Sequence, residues 1–228
     1  MKQTFLKATT ALLTLSALYS CGEDATMDES LNLNTIPMNA VDLGLPSGTL
    51  WADRNVGADA PEAYGDYFAW GETEPKSKYD WSTYKWCNGS DDTQIKYCTK
   101  SSYGTVDSTT VLDLEDDAAY VNMGSAWRMP TYAEMQELMD NCTTTWTTQN
   151  GVDGRKVTGK NGNSIFLPAA GCFSGSYLNR AGSNGDYWSS SLDESKPSNA
   201  CILYFYSDNY NWGSYSRSVG RTVRAVVR

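Results

Sequence analysis

The sequence contains no histidine. That excludes Ser-His-Asp and Cys-His catalysis, His-ligated zinc or iron, and any imidazole proton shuttle. Basic residues are also scarce. Eighteen Lys and Arg stand against 27 Asp and Glu, a formal charge of −9. Nucleic acid and anionic lipid headgroups both demand Lys/Arg clusters, so neither is an expected partner. Cys-x-x-Cys pairs are absent, which removes the usual redox and zinc patterns. The acids form no D-x-D-x-D-G calcium loop. Helical periodicity is rare, and there is no internal repeat. What is abundant is aromatic: 8 Trp and 15 Tyr in 228 residues. Such a load excludes a disordered chain, and the length fits one domain with tails.

The N-terminus reads as an address. Lys2 and Lys7 precede the short, small-residue apolar stretch Ala8 to Ser20. It is too short and hydroxyl-rich to span a bilayer and reads as a secretory leader. Leu18-Tyr19-Ser20-Cys21 resembles the bacterial lipobox, which implies lipidation of Cys21 after removal of residues 1–20. No other apolar run approaches membrane length, so membrane contact is expected through the lipid alone. Residues 21–40 are polar and acidic, a tether without apolar periodicity. Within them, Glu23-Asp24 resembles the surface-export signal of Bacteroidetes lipoproteins. The expected location is the outer membrane, lipid-anchored and exposed at the surface.

Five cysteines remain: Cys87, Cys98, Cys142, Cys172 and Cys201. An exported chain permits disulfides. Cys87 and Cys98 bound one polar loop, CNGSDDTQIKYC, and are the expected bridge. Five is odd, so at least one thiol stays free unless it pairs between chains.

The globular part is expected over residues 41–228. Thr131 and Glu134 form a capping box, with Met135, Leu138, Met139 and Cys142 at helical spacing behind them. A shorter helix is expected over 115–122, with Glu115, Asp116 and Asp117 at its positive end. Strands are expected at 50–56, 67–71, 164–167, 187–191, 200–206, 211–216 and 222–227, with a hairpin joining 143–148 to 155–158 through Asn150-Gly151. In the last strand, Val223, Ala225 and Val227 alternate with Arg224 and Val226, which reads as one buried face. The class is α+β: about two short helices on irregular, loop-rich antiparallel strands.

Four segments then carry a resemblance: VDLGLPSGTLWADRNVG (41–57), WRMPTYAEMQEL (127–138), DYWSSS (186–191) and GRTVRAVVR (220–228). In this order they resemble the Fibrobacter-type major paralogous domain of Bacteroidetes lipoproteins. That domain is similar to the C-type-lectin-like fold in its formylglycine-generating-enzyme version. The resemblance implies a C-type-lectin-like domain whose terminal strands meet. In it Trp127, Arg128 and Pro130 are structural, and Arg128 satisfies buried carbonyls. It does not carry catalysis over. The enzyme's copper-binding cysteine pair lies near its C-terminal strand, where this chain has Ser216 to Arg221 and no Cys. The E-P-N and W-N-D sugar-binding signatures of calcium-dependent lectins are also missing: Lys76 follows Glu74-Pro75, and Ser189 follows Trp188. No catalytic residue, metal or cofactor is therefore expected.

Between Ser174 and Ser218, Ser, Asn, Tyr and Gly dominate, as in antibody paratopes. Tyr and Trp give rigid contact area, while Ser, Asn and Gly give adaptable hydrogen bonds. Tyr177, Asn179, Asn184, Asp186, Tyr210, Asn211, Trp212, Tyr215 and Arg217 are the candidate ligand-binding residues, and the expected partner is a glycan or a protein. The bland reading makes Tyr187 and Trp188 core and the Ser and Asn residues turn formers. Two further alternatives stand: a ligand-binding protein diversified by a retroelement, and a structural subunit of the surface or a pilus.

Overall fold

A computed structural model describes residues 36–228; the expected leader, Cys21 and the expected tether up to residue 35 lie outside the described residues. Twelve strands and two α-helices are present among them. β1 (Ala40–Asp42) and β2 (Leu50–Asn55) come first, followed by a long irregular stretch. Then come α1 (Ala118–Met123), β3 (Trp127–Arg128) and α2 (Tyr132–Asn141). β4 (Thr143–Gln149), β5 (Val152–Thr158) and β6 (Ser164–Pro168) form one meander. β7 (Cys172–Ser174) and β8 (Tyr177–Asn179) form a two-stranded hairpin. β9 (Gly185–Leu192), β10 (Asn199–Phe205) and β11 (Tyr210–Ser216) form a second meander, and β12 (Arg224–Val227) ends the chain.

All of the pairing within the sheets is antiparallel. β12 lies inside the sheet ordered β1-β2-β12-β3, so the C-terminal strand pairs with an N-terminal one. Val223, just before it, and its residues Arg224 to Val226 are buried on both faces, not on one as their alternation suggested. Val223 and Ala225 join the cluster around Trp70, Trp127 and Trp188, whereas Val226 joins Trp51, Leu138 and Leu203. A central strand packed on both sides has no solvent face. Arg224 is tolerated there because its guanidinium donates to Asn55 Oδ1 (3.0 Å), the Ala52 carbonyl (3.2 Å) and the Phe166 carbonyl (2.8 Å).

The capping box at Thr131 forms. The Glu134 amide donates to Thr131 Oγ1 (3.3 Å), and Glu134 Oε2 accepts from the Thr131 amide (2.8 Å). Arg128 grips the same carboxylate with both arms (2.7 and 2.5 Å). Its expected role, satisfying buried carbonyls, shrinks to one contact with the Met129 carbonyl (3.2 Å). α1 starts later than its acids suggested. Glu115 and Asp116 sit in a 3-10 turn, and Asp117 is the cap, accepting from Ala119 and Tyr120 while its other oxygen accepts from the Met129 amide. Segment 67–71 is not a strand. It is extended but touches residues 217–221 only at Phe68 and Trp70. No helix among the described residues is long and apolar enough to cross a membrane.

Candidate functional site

The expected binding hairpin does not act as a unit. Alternation along β11 sends its residues to opposite faces. Tyr210 and Trp212 are half-buried at the margin of the core, where Trp212 packs edge-on against Tyr132 on α2 (centroids 5.6 Å) and Tyr210 (6.2 Å). Asn211 and Tyr215 face the other way. Arg217, a further candidate, is fully buried. It donates to the Tyr84 hydroxyl (2.8 Å) and to the carbonyls of Tyr97 (2.9 Å), Pro197 (2.8 Å) and Lys96 (3.0 Å). With its guanidinium over Trp70 and Tyr84, it is a clamp that fastens the long irregular stretch to the domain, not a ligand contact.

The face carrying Asn211 and Tyr215 is better developed than the sequence indicated. Tyr204 on β10 is register partner to both Asn211 and Asp186. Tyr215 and Tyr204 meet edge to face (5.9 Å) across Gly213, where a Cβ would lie only 2.7 Å from the Tyr215 ring. Only glycine leaves both rings room there. Beneath them lies the guanidinium of Arg221, 4.5 Å from the Trp188 ring centroid and 5.2 Å from that of Tyr215. Asp186 is its charged neighbour, but Arg221 Nε and Asp186 Oδ1 are 4.0 Å apart, too far for a hydrogen bond. Arg221 Nε and Nη1 and Asp186 Oδ2 are buried without a hydrogen-bond partner in the protein. Burial pushes the Asp186 carboxyl up against the pull of Arg221 and Arg180, and pushes the Arg221 guanidinium down. Leaving such groups unmatched costs about 1–3 kcal/mol each.

Cys172 connects this pair to a second group of candidates. Its thiol feels the charges of Arg221, Asp186 and Arg180. It also lines a cleft of about 460 Å³ together with Ser174, Tyr177, Asn179 and Arg180. Tyr177 is 78% exposed. Asn184 contributes structure instead: its carbonyl accepts from the Gly171 amide (2.7 Å), and its side chain accepts from Ser183. Arg180 holds a left-handed conformation (φ 59°), which most side chains avoid. The candidates thus fall into two groups: Tyr177 and Asn179 line the cleft over Cys172, while Tyr215 packs on Arg221, and Asn211 and Asp186 flank Tyr204 on either side of β10. Sequence reasoning missed Tyr204, Arg180, Arg221 and Cys172.

Comparison with known proteins brings no family. No family profile, no curated protein and no solved structure matches the chain.

Two other polar features are internally satisfied. Glu72, in a cleft with Lys76 and Lys85, accepts from Lys76 Nζ (2.9 Å) and the Lys85 amide (2.7 Å). Asp113, Glu115 and Asp116 converge, but the Lys96 ammonium stands among them, at 2.7 Å from Asp113, 2.7 Å from Asp116 and 3.5 Å from Glu115. It occupies the place a cation would take. The expected Cys87–Cys98 bridge is corrected: both thiols are free and buried. Cys87 Sγ points at the Trp81 carbonyl (3.3 Å) and Cys98 Sγ at the Lys100 carbonyl (3.1 Å). The loop between them is closed by other means, including the Cys87–Gln94 bridge and the Asn88 amide donating to the Thr93 carbonyl.

Proposed function

We propose that this protein is a lipid-anchored, surface-exposed, non-catalytic binding protein that recognises a glycan or a protein through the face around Asp186 and Arg221. The observation that carries the reading is that pair. Donor and acceptor groups lie buried and unmatched, framed by Trp188, Tyr204 and Tyr215, with exposed Asn211 beside them. Aromatic planes next to matched donors and acceptors suit a saccharide, whose C–H faces stack on rings while its hydroxyls both give and accept hydrogen bonds. A protein ligand finds support in the neighbouring hairpin, where Tyr177 and Leu178 are exposed together. Against catalysis stands the state of Cys172. Burial pushes its thiol up despite two nearby arginines, so it remains an unactivated thiol.

The C-type-lectin-like assignment belongs to the same proposal. The four segments that carry the resemblance supply β2, β3 with α2, β9 and β12, which is the framework of the domain. The pairing of β12 with β2 and the two short helices support it. Arrays of glycans and of cell-surface proteins, screened with the full chain, test the function. Binding that is weakened by Tyr215→Ala and Tyr177→Ala supports it. Empty arrays together with stable self-association would favour a structural surface subunit.

A further inference from the structure

We infer that the cleft over Cys172 selects an acidic saccharide, whose carboxylate or sulfate is held by Arg180 and whose hydroxyls meet Tyr177 and Asn179. The inference rests on the glycan reading of the preceding subsection and adds the charge of the ligand. The chain as a whole is acidic, with a formal charge of −9. A general attraction for anions is therefore absent, and any affinity for one must be local. This cleft is where the sign reverses. Its lining is Cys172, Ser174, Tyr177, Asn179 and Arg180, with no acid among them. Arg180 is exposed and makes no ion pair among the described residues. A second guanidinium, Arg221, is close enough to act on the Cys172 thiol by its charge and is buried with Nε and Nη1 unmatched. Asp186 offsets one of the two positive charges, which leaves the neighbourhood positive by one.

The donor set fits an acidic sugar better than a bare anion. An inorganic anion would satisfy Arg180 and leave the polar groups of Ser174, Tyr177 and Asn179 unused. A sugar acid supplies both halves, an anionic group for arginine and hydroxyls for the amide, phenol and serine oxygens. A volume of about 460 Å³ is within the range of small-ligand sites and suits one or two sugar rings. The backbone agrees. Arg180 sits at φ 59°, where Gly or Asn is accommodated without strain, and strained residues of this kind cluster at ligand clamps. Its carbonyl accepts from the amides of Ser183 and Asn184, so the turn presents the guanidinium from a fixed base.

Titration calorimetry on the full chain tests the inference with four probes. Glucuronate-terminated and N-acetylneuraminate-terminated oligosaccharides carry carboxylates, a galactose-sulfate oligosaccharide carries sulfate, and the uncharged parent oligosaccharides carry neither. The expected result is acidic probes binding at least tenfold tighter than neutral ones, with an affinity that falls as salt rises. Arg180→Gln should lose that preference and Arg180→Lys should keep part of it, with unchanged thermal melts in both. Binding by one acidic class alone identifies carboxylate or sulfate as the source. Neutral probes that bind as tightly as acidic ones, or an acid preference that survives Arg180→Gln, would overturn the inference and leave the glycan reading standing. No binding to any of the four would overturn both.

Discussion

Two neighbouring aromatics on β11 should respond to truncation in opposite ways. Trp212 is half-buried, edge-on to Tyr132 and Tyr210, at the rim of the cluster holding Trp51 and Leu138. A fully buried Trp truncated to Ala costs about 3–5 kcal/mol, so a half-buried one with two aromatic contacts should cost about 2 kcal/mol. In a domain of this size each kcal/mol moves Tm by about 2–4 °C, so Trp212→Ala should melt about 4–8 °C early. Tyr215 is 42% exposed, and its contacts are Tyr204, Gly213 and the Arg221 guanidinium. Tyr215→Ala opens the buried pair to water, which relieves its unmatched groups, so its net cost should stay below about 1 kcal/mol. Ligand affinity should move the other way: little change for Trp212→Ala, a loss of tenfold or more for Tyr215→Ala. Calorimetric melts and one binding titration decide it. If Tyr215→Ala lowers Tm as far as Trp212→Ala and leaves affinity intact, the two faces have been assigned wrongly.

Further outcomes are expected. Arg217→Met should destabilise the domain by about 3 kcal/mol or more, because it strips three carbonyls and the Tyr84 hydroxyl of their shared donor; urea titration measures this. Glu134 is pushed up by burial, but Arg128 and Thr131 outweigh that and hold its carboxyl below the ordinary value. A depressed carboxyl contributes stability above its unfolded pKa of about 4.3, lost as pH falls through the lower folded value. Glu134→Gln should therefore lower Tm at pH 7 and flatten the decline as pH falls below the unfolded value of about 4.3, as followed by melts through the acid range. Alkylation in denaturant without reductant should modify both Cys87 and Cys98, and a linked peptide pair would refute the free-thiol assignment. Cys21→Ser should release the protein from carbonate-washed membranes, and retention there would refute the lipid anchor.

The fold was legible where local chemistry is strong. The Thr131–Glu134 box needs four residues to declare itself, and it capped α2 as read. The Asn150-Gly151 turn fixed the register of the β4–β5 hairpin, with Asn150 and Gly151 both at positive φ. Pairings that depend on distant partners were not legible. Segment 67–71 has the composition of a strand, yet its strand-like backbone bonds reach only Arg217 and Arg221, and its carbonyls accept instead from the side chains of Tyr79, Trp188, Tyr84 and Trp86, so no ladder forms. The hairpin of β7 and β8 is three residues a side, too short to leave a pattern. Charge misled at β12, where Arg224 looked like a solvent-facing residue. Its partners, Asn55, Ala52 and Phe166, lie more than fifty residues away in sequence.

The site was half legible, and the reason lies in the pleat. Composition singled out 174–218 because Tyr, Asn and Ser accumulate there, but composition carries no direction. A strand turns successive side chains to opposite faces, so a run such as Tyr210-Asn211-Trp212 cannot form one surface. Once β11 is placed, odd residues separate from even ones. Asn211 and Tyr215 join Tyr204 and Asp186, while Tyr210 and Trp212 go to the margin of the core. Arg217 and Arg221 look alike in the segment SRSVGR, both following a serine or glycine in the connection from β11 to β12. Their environments divide them. Arg217 finds four acceptors and becomes structure, whereas Arg221 finds two aromatic faces, an aspartate out of hydrogen-bond reach, and unmatched nitrogens. A buried arginine whose donors are all used stabilises a fold. One whose donors are left over raises the energy of the unliganded protein, and a ligand that supplies the missing acceptors recovers that energy as affinity.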